Sequence, residues 1–182
     1  MYLYRGQIYS IKQNFTDAID AYKQFTEAWP NDTRGFLQLG QAYERAGFLI
    51  QATEAYESLL LLDPTRNDIR LILAKLFFKR SDYKKSIKYS KLIIQSDSTN
   101  VSGFAQLGKG YLKAAQYDSA TIAYDEAVKR DSSNFQNQLE LGISYCMRER
   151  YVDAYLVLKK LNQTGTKSGS LQYHLSRQRA SA

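Results

Sequence analysis

The sequence predicts an all-α solenoid built from stacked two-helix units. A glycine followed three residues later by a tyrosine recurs at steps of 34 residues, with one slot skipped. The glycines of this row are Gly6, Gly40, Gly108 and Gly142, and the tyrosines are Tyr9, Tyr43, Tyr111 and Tyr145. Ala74 and Phe77 fill the skipped slot. A fixed period of this length is typical of repeat proteins, in which each unit packs only against its neighbours.

Two further rows keep the same period and indicate how the helices of one unit pack. The second small-residue row consists of Ala18, Ala52, Ser86, Ala120 and Ala154. The aromatic row consists of Tyr22, Tyr56 and Tyr124, with Ser90 and Leu158 in the remaining slots. A small residue at a helix crossing lets two backbones approach closely, and we expect a neighbouring tyrosine to fill the wider gap. Apolar residues at helical spacing on both sides of the rows predict two helices in each unit.

Residues that end or begin helices lie between the predicted units. Asp32, Asn100 and Asn134 are good N-caps for the first helix of the unit that follows. Pro30 and Pro64, which are the only prolines, fall just past predicted helix ends, where a missing N–H costs little. These residues set the expected boundaries between units.

The second unit carries the residues by which a family is recognised. These are Phe36, Leu39, Gly40, Tyr43, Ala52, Tyr56 and Pro64. At this spacing the chain resembles the tetratricopeptide repeat family. The resemblance implies a right-handed α-solenoid of tandem helix-turn-helix repeats. It covers residues 1–168 as five units, 1–32, 33–66, 67–100, 101–134 and 135–168, followed at 169–182 by a partial capping helix or flexible tail.

Composition argues against catalysis and against a metal centre. The 182-residue chain has a single cysteine, Cys146, and a single histidine, His174, so a disulfide or a cluster of His and Cys ligands cannot form within it. Phosphate-binding and dinucleotide-binding loop motifs are absent, and we expect a non-enzymatic protein without cofactor or small-molecule substrate. No run of apolar residues is long enough for a membrane span. Met1 falls inside the first predicted helix, which favours a fragment of a longer protein and leaves the compartment open.

Positively charged residues and apolar residues recur at fixed positions on the first helix of several units. Leu39, Leu73, Leu107 and Leu141 form a leucine row one residue before the glycine row. The positions two and six residues after the first three of these leucines hold Gln41 and Arg45, Lys75 and Lys79, and Lys109 and Lys113. A neighbouring apolar row contains Phe78, Leu112 and Cys146, with Met147 and Ile143 adjacent in the last unit. The resemblance implies that first helices line a concave groove. We therefore expect a scaffold or adaptor that binds a peptide-like segment with acidic and apolar side chains in this groove.

Other interpretations of the same residues stay open. The lysines form an ordinary solvated face if the apolar row packs between units. The repeats form a structural spacer, or associate with another copy through the solenoid ends, if no groove partner exists. The net charge of +7 and a lysine cluster at 84, 85, 88 and 91 also fit weak, salt-dependent nucleic-acid binding.

One use of the family is not expected here. Chaperone adaptors of this family hold a C-terminal carboxylate with lysine, asparagine and arginine on the first helices of three repeats. The matching positions of this sequence hold Leu3, Gln7, Gln38, Asp68 and Ile72. The sequence therefore predicts no clamp for a chaperone tail.

Overall fold

The computed structural model of the chain describes residues 1–163. Over this range it contains ten α-helices and no strand, which confirms the all-α helical repeat fold. The helices are α1 (Tyr2–Ile11), α2 (Phe15–Ala28), α3 (Thr33–Arg45), α4 (Leu49–Leu62), α5 (Asn67–Lys79), α6 (Tyr83–Ser96), α7 (Val101–Lys113), α8 (Tyr117–Arg130), α9 (Phe135–Met147) and α10 (Tyr151–Gln163). The capping helix or tail predicted at 169–182 lies outside the described residues. The bounds of the five repeat units and the handedness of the solenoid stay predictions.

The helices belong to two compact modules. The N-terminal module covers residues 1–81 and contains α1 to α5, and the C-terminal module begins at residue 82 and contains α6 to α10. Within each module every helix packs against the next one along the chain. This order of packing is that of a repeat protein, in which contacts are made between neighbours in sequence.

The small-residue and aromatic rows meet at the crossing of the two helices of a unit. A Cβ atom added to Gly40 would lie 2.7 Å from the ring of Tyr56, and one added to Gly108 would lie 2.8 Å from the ring of Tyr124. Both tyrosines are buried, as are all five members of the second small-residue row. The glycine row is therefore required by close packing of the aromatic ring against the helix backbone.

The predicted N-caps are confirmed. The side chain of Asp32 accepts a hydrogen bond from the backbone N–H of Arg34, and that of Asn100 accepts one from Gly103. Asn134 accepts a similar bond from the N–H of Asn137. These bonds satisfy N–H groups in the first turn of α3, α7 and α9 that have no partner within the helix.

The turn from the first to the second helix of each pair has a recurring left-handed residue. These residues are Gln13, Gly47, Ser81, Ala115 and Glu149, with φ between 57° and 82°. In four of the five turns, the N–H of the following residue donates to the carbonyl of a tyrosine of the first row, as Gln116 does to Tyr111 at 2.9 Å. This is the Schellman arrangement that ends many helices.

Candidate functional site

Helix α7 shows which first-helix residues are left uncovered by packing. Gly110 packs against Ile87 of α6, and Gly108 packs against the ring of Tyr124 of α8. At 100° per residue, the arc of α7 between these two contacts contains Lys109, Leu112 and Lys113. Lys113 is exposed, and the other two are half-buried. The helix therefore presents two cations with an aliphatic side chain beside them.

Helix α5 presents the same pattern one repeat earlier. Lys75 and Lys79 are exposed, and Phe78 lies between them in the helix and is half-buried. The opposite side of α5, which packs against α4, contains the buried Ile69 and Leu76. The sequence Lys-x-x-apolar-Lys thus places the same chemistry on the same arc of α5 and α7.

Helix α3 differs at the central position of this pattern. Gln41 is half-buried and Arg45 is exposed, but Glu44 takes the place of the apolar residue. The hydroxyl of Tyr56 donates to Glu44 Oε2 at 3.3 Å. Burial raises the pKa of the Tyr56 hydroxyl, and the negative charge of Glu44 raises it further. Glu44 therefore has a hydrogen-bond partner in α4, the hydroxyl of Tyr56.

Residue 112 differs from its equivalents in the first two helix pairs, which each provide a hydrogen-bond partner for a tyrosine hydroxyl. Ser10 and Glu44, which lie at the same register in α1 and α3, are each within hydrogen-bond distance of the tyrosine hydroxyl beneath them, at 3.3 Å. Leu112 takes that register in α7. The Tyr124 hydroxyl is buried and has no hydrogen-bond partner among the described residues, and its burial raises the pKa of the group. An apolar residue at 112 therefore leaves a buried donor unsatisfied, which is unfavourable for folding.

Helix α9 ends the pattern with apolar residues alone. Met147 is 50% exposed, while Ile143 and Cys146 are half-buried. Ile143 and Met147 hold the positions that lysines hold in α5 and α7. The uncovered arc thus changes from cationic to apolar along the C-terminal module.

The cations of the predicted site have no acidic partner. Among the described residues, Arg45, Lys75, Lys79, Lys109 and Lys113 form no salt bridge. Six other cations do form one with a nearby carboxylate, namely Arg34, Arg66, Lys129, Arg130, Arg148 and Arg150. The candidate site therefore has positive charge that the folded chain does not neutralise locally.

Three of these five cations have a structural reason for their position. Arg45, Lys79 and Lys113 lie in the last turn of their helices, where the helix dipole stabilises positive charge by about 0.3–1 kcal/mol. Lys75 and Lys109 lie one turn earlier and have no such explanation. These two lysines are the more informative pair for a test of function.

The predicted site residues are divided between the two modules. Gln41, Arg45, Lys75, Phe78 and Lys79 lie in the N-terminal module, and Lys109, Leu112, Lys113 and Met147 lie in the C-terminal module. Within each module they lie on the same arc of successive first helices. That the two sets form one continuous groove stays a prediction.

Two surfaces were not singled out by the sequence analysis. One lies on α1, where Tyr4 and Ile8 are exposed, and the other lies on α10, where Val152, Tyr155 and Leu156 are exposed. No local signal in the sequence distinguishes these residues, because their exposure follows from the packing of the helices.

The described residues contain no group of three or more His, Cys, Asp and Glu side chains that could hold a metal ion. None of the helices described is long and apolar enough to cross a bilayer.

Residues 37–100 match the family model described as Tetratricopeptide repeat. This stretch of the chain consists of tetratricopeptide repeats. The chain is 23% identical to Tetratricopeptide repeat protein 21B of Xenopus laevis over 138 residues. The aligned region covers 76% of this chain and 10% of that protein. It is 25% identical to Superkiller protein 3 of Schizosaccharomyces pombe over 134 residues. The aligned region covers 74% of this chain and 9% of that protein. The chain therefore spans about a tenth of the length of these relatives.

Solved structures share the fold of this tetratricopeptide repeat chain. A crystal structure of MamA protein superposes with a TM-score of 0.81 at 24% identity, covering 89% of this chain and 88% of that one. The crystal structure of YrrB, described as a TPR protein with an unusual peptide-binding site, superposes with a TM-score of 0.80 at 16% identity. That match covers 97% of this chain and 90% of YrrB. The family and the fold support a general role as a protein-interaction scaffold.

Proposed function

We propose that the chain is a non-catalytic scaffold whose first-helix faces bind a peptide-like segment of acidic and apolar side chains. The observation that carries this proposal is the repeated Lys-x-x-apolar-Lys arc of α5 and α7, in which no lysine forms a salt bridge within residues 1–163. YrrB, which has a similar fold, is described as having a peptide-binding site, and this supports a peptide as the type of ligand.

Charge and apolar contacts have different parts in this proposal. The exposed lysines attract a segment rich in Asp or Glu and disfavour basic partners, which mainly affects association rate and specificity. Phe78, Leu112 and Met147 provide the apolar area whose burial holds the segment in place. The unsatisfied hydroxyl of Tyr124 also supports the proposal, because locally unfavourable choices concentrate at functional sites.

A pair of matched variants tests the lysines. The probe is a fluorescein-labelled peptide that alternates glutamate with leucine, and its affinity is measured by fluorescence anisotropy. We expect Lys75→Gln with Lys109→Gln to weaken binding roughly threefold to tenfold, since an exposed ion pair contributes about 0.2–1 kcal/mol. The control is Lys84→Gln with Lys88→Gln on α6, which removes the same charge from exposed positions outside the first helices.

The control also separates this proposal from the nucleic-acid alternative. Equal weakening by both double variants would show that only net charge matters and would contradict a first-helix site. Retention of a single-stranded oligonucleotide at physiological salt, lost in the α6 variant, would instead favour nucleic-acid binding.

A further inference from the structure

The last turn of α9 lacks the basic residue that ends three other first helices. Arg45, Lys79 and Lys113 lie in the last turn of α3, α5 and α7, where the negative end of the helix dipole favours positive charge. Met147 holds the equivalent position of α9, and the last turn of that helix contains no basic residue. An apolar residue therefore lies where the electrostatics of the helix favour a cation.

The exposure of Met147 belongs to its position in the repeat. Met147 is 50% exposed. Lys79 and Lys113 hold the same position and are exposed too, although further helices follow α5 and α7 in the chain. Ile143, one turn earlier in α9, packs partly against a cluster that contains Leu139. Met147 is thus the more exposed apolar residue of this arc, and its flexible, polarisable side chain suits a surface that binds a partner.

The cations that follow α9 are neutralised within the fold. Arg148 Nε lies 2.5 Å from Asp118 Oδ1, and Arg150 Nη2 lies 2.7 Å from Asp153 Oδ2. The two lysines of the α7 arc, by contrast, form no salt bridge among the described residues. Positive charge that a ligand could neutralise is therefore concentrated on α7 and not on α9.

A negative charge lies on the α9 side of the same module. Glu140 of α9 is half-buried and accepts a hydrogen bond from Gln136 Nε2 at 2.9 Å. Burial raises the pKa of the Tyr124 hydroxyl most, and the charge of Glu140 raises it further. The carboxylate therefore acts on the same tyrosine whose ring packs against Gly108 of α7. An acidic side chain of a ligand is attracted at α7 and repelled towards α9.

We propose that the C-terminal module selects a segment whose acidic residues and apolar residues lie in separate blocks. The acidic block contacts Lys109 and Lys113 of α7, and the apolar block contacts Met147 of α9. Both helices pack against α8, so one short segment reaches both arcs. The proposal rests on the proposed function and specifies how the residues of its ligand are ordered.

Two fluorescein-labelled peptides of equal length and composition test the order. One has all its glutamates before its leucines, and the other alternates them, so that a glutamate faces α9. We expect the unaltered chain to bind the block peptide about threefold to tenfold more tightly in fluorescence anisotropy, because ion pairs form at α7 without repulsion at α9 and leucine covers Met147.

Three variants locate the cause of this preference. Met147→Lys gives α9 the residue that α5 and α7 have at this position, and we expect it to weaken binding of the block peptide, strengthen binding of the alternating one and so remove the preference. Met147→Leu keeps an apolar side chain and should keep the preference. Ile122→Lys adds the same charge at an exposed position of α8 and should keep it too.

Thermal denaturation followed by circular dichroism is expected to show that Met147→Lys is at least as stable as the unaltered chain, because the helix dipole favours the new lysine. Equal affinity of the unaltered chain for the two peptides, or a preference that Met147→Lys leaves unchanged, would overturn the proposal. If Lys75→Gln with Lys109→Gln still weakens binding more than the α6 control does, the proposed function survives that result. If it does not, the first-helix site is contradicted and this proposal fails with it.

Discussion

At the scale of single residues, position 112 connects stability with the proposed site. Tyr56 and Tyr124 are the same residue at the same register and are both buried. Glu44 accepts a hydrogen bond from the Tyr56 hydroxyl, whereas Leu112 provides no acceptor for the Tyr124 hydroxyl. The chain therefore keeps an apolar surface residue where an acceptor would satisfy a buried hydroxyl.

We predict that Leu112→Glu raises the free energy of unfolding by about 1 kcal/mol, because it provides Tyr124 with an acceptor. The same change should weaken binding of the glutamate–leucine peptide, since it removes an apolar anchor and introduces repulsion. Urea denaturation and fluorescence anisotropy measure the two effects.

Two controls separate the causes. Tyr124→Phe removes the unsatisfied hydroxyl and should raise stability while leaving binding unchanged. Leu112→Ala should weaken binding without any gain in stability. If Leu112→Glu lowers stability while Tyr124→Phe raises it, the glutamate does not reach the hydroxyl and the comparison with Glu44 is wrong.

At the scale of elements, the left-handed turns differ in how well their residue suits the backbone. Gly47 has φ of 82°, where a residue without a side chain is favoured, but Ala115 adopts φ of 57° in the equivalent turn. The left-handed conformation costs an L-residue about 1–2 kcal/mol, partly offset by the larger entropy that glycine loses on folding.

We predict that Ala115→Gly raises the free energy of unfolding by about 0.5–1 kcal/mol and that Gly47→Ala lowers it by a similar amount. Thermal denaturation followed by circular dichroism measures both. Opposite signs are the expected result because the two residues occupy equivalent turns. A loss of stability in Ala115→Gly would show that the alanine side chain makes a contact that outweighs the backbone strain.

The helices were predictable from sequence, but these turns were not. The glycine, tyrosine and alanine rows, the caps at Asp32, Asn100 and Asn134, and the two prolines all depend on local chemistry that recurs every 34 residues. Four of the five left-handed positions hold residues without a turn preference at that φ, and only Gly47 carries the usual signal. The turn is imposed by the packing of the two helices that it joins.

At the scale of the whole molecule, the sequence identified the cations of the candidate site but not which cations of the chain are paired with carboxylates. The spacing of Lys75 and Lys79 follows from helical periodicity. The pairing of other cations with carboxylates, such as Arg148 with Asp118 thirty residues away, depends on tertiary contacts that no local pattern reveals. The unsatisfied hydroxyl of Tyr124 and the exposed apolar residues of α1 and α10 also required the packed helices.

The central claim is that a partner segment binds the uncovered arcs of the first helices. The most direct measurement is a titration of the isotope-labelled chain with the glutamate–leucine peptide, followed through the backbone amide signals by NMR. We predict that the largest shifts occur at α5 and α7, around Lys75, Lys109 and Leu112. Largest shifts on α6, α8 or α10, or no shift at saturating peptide, would contradict the claim.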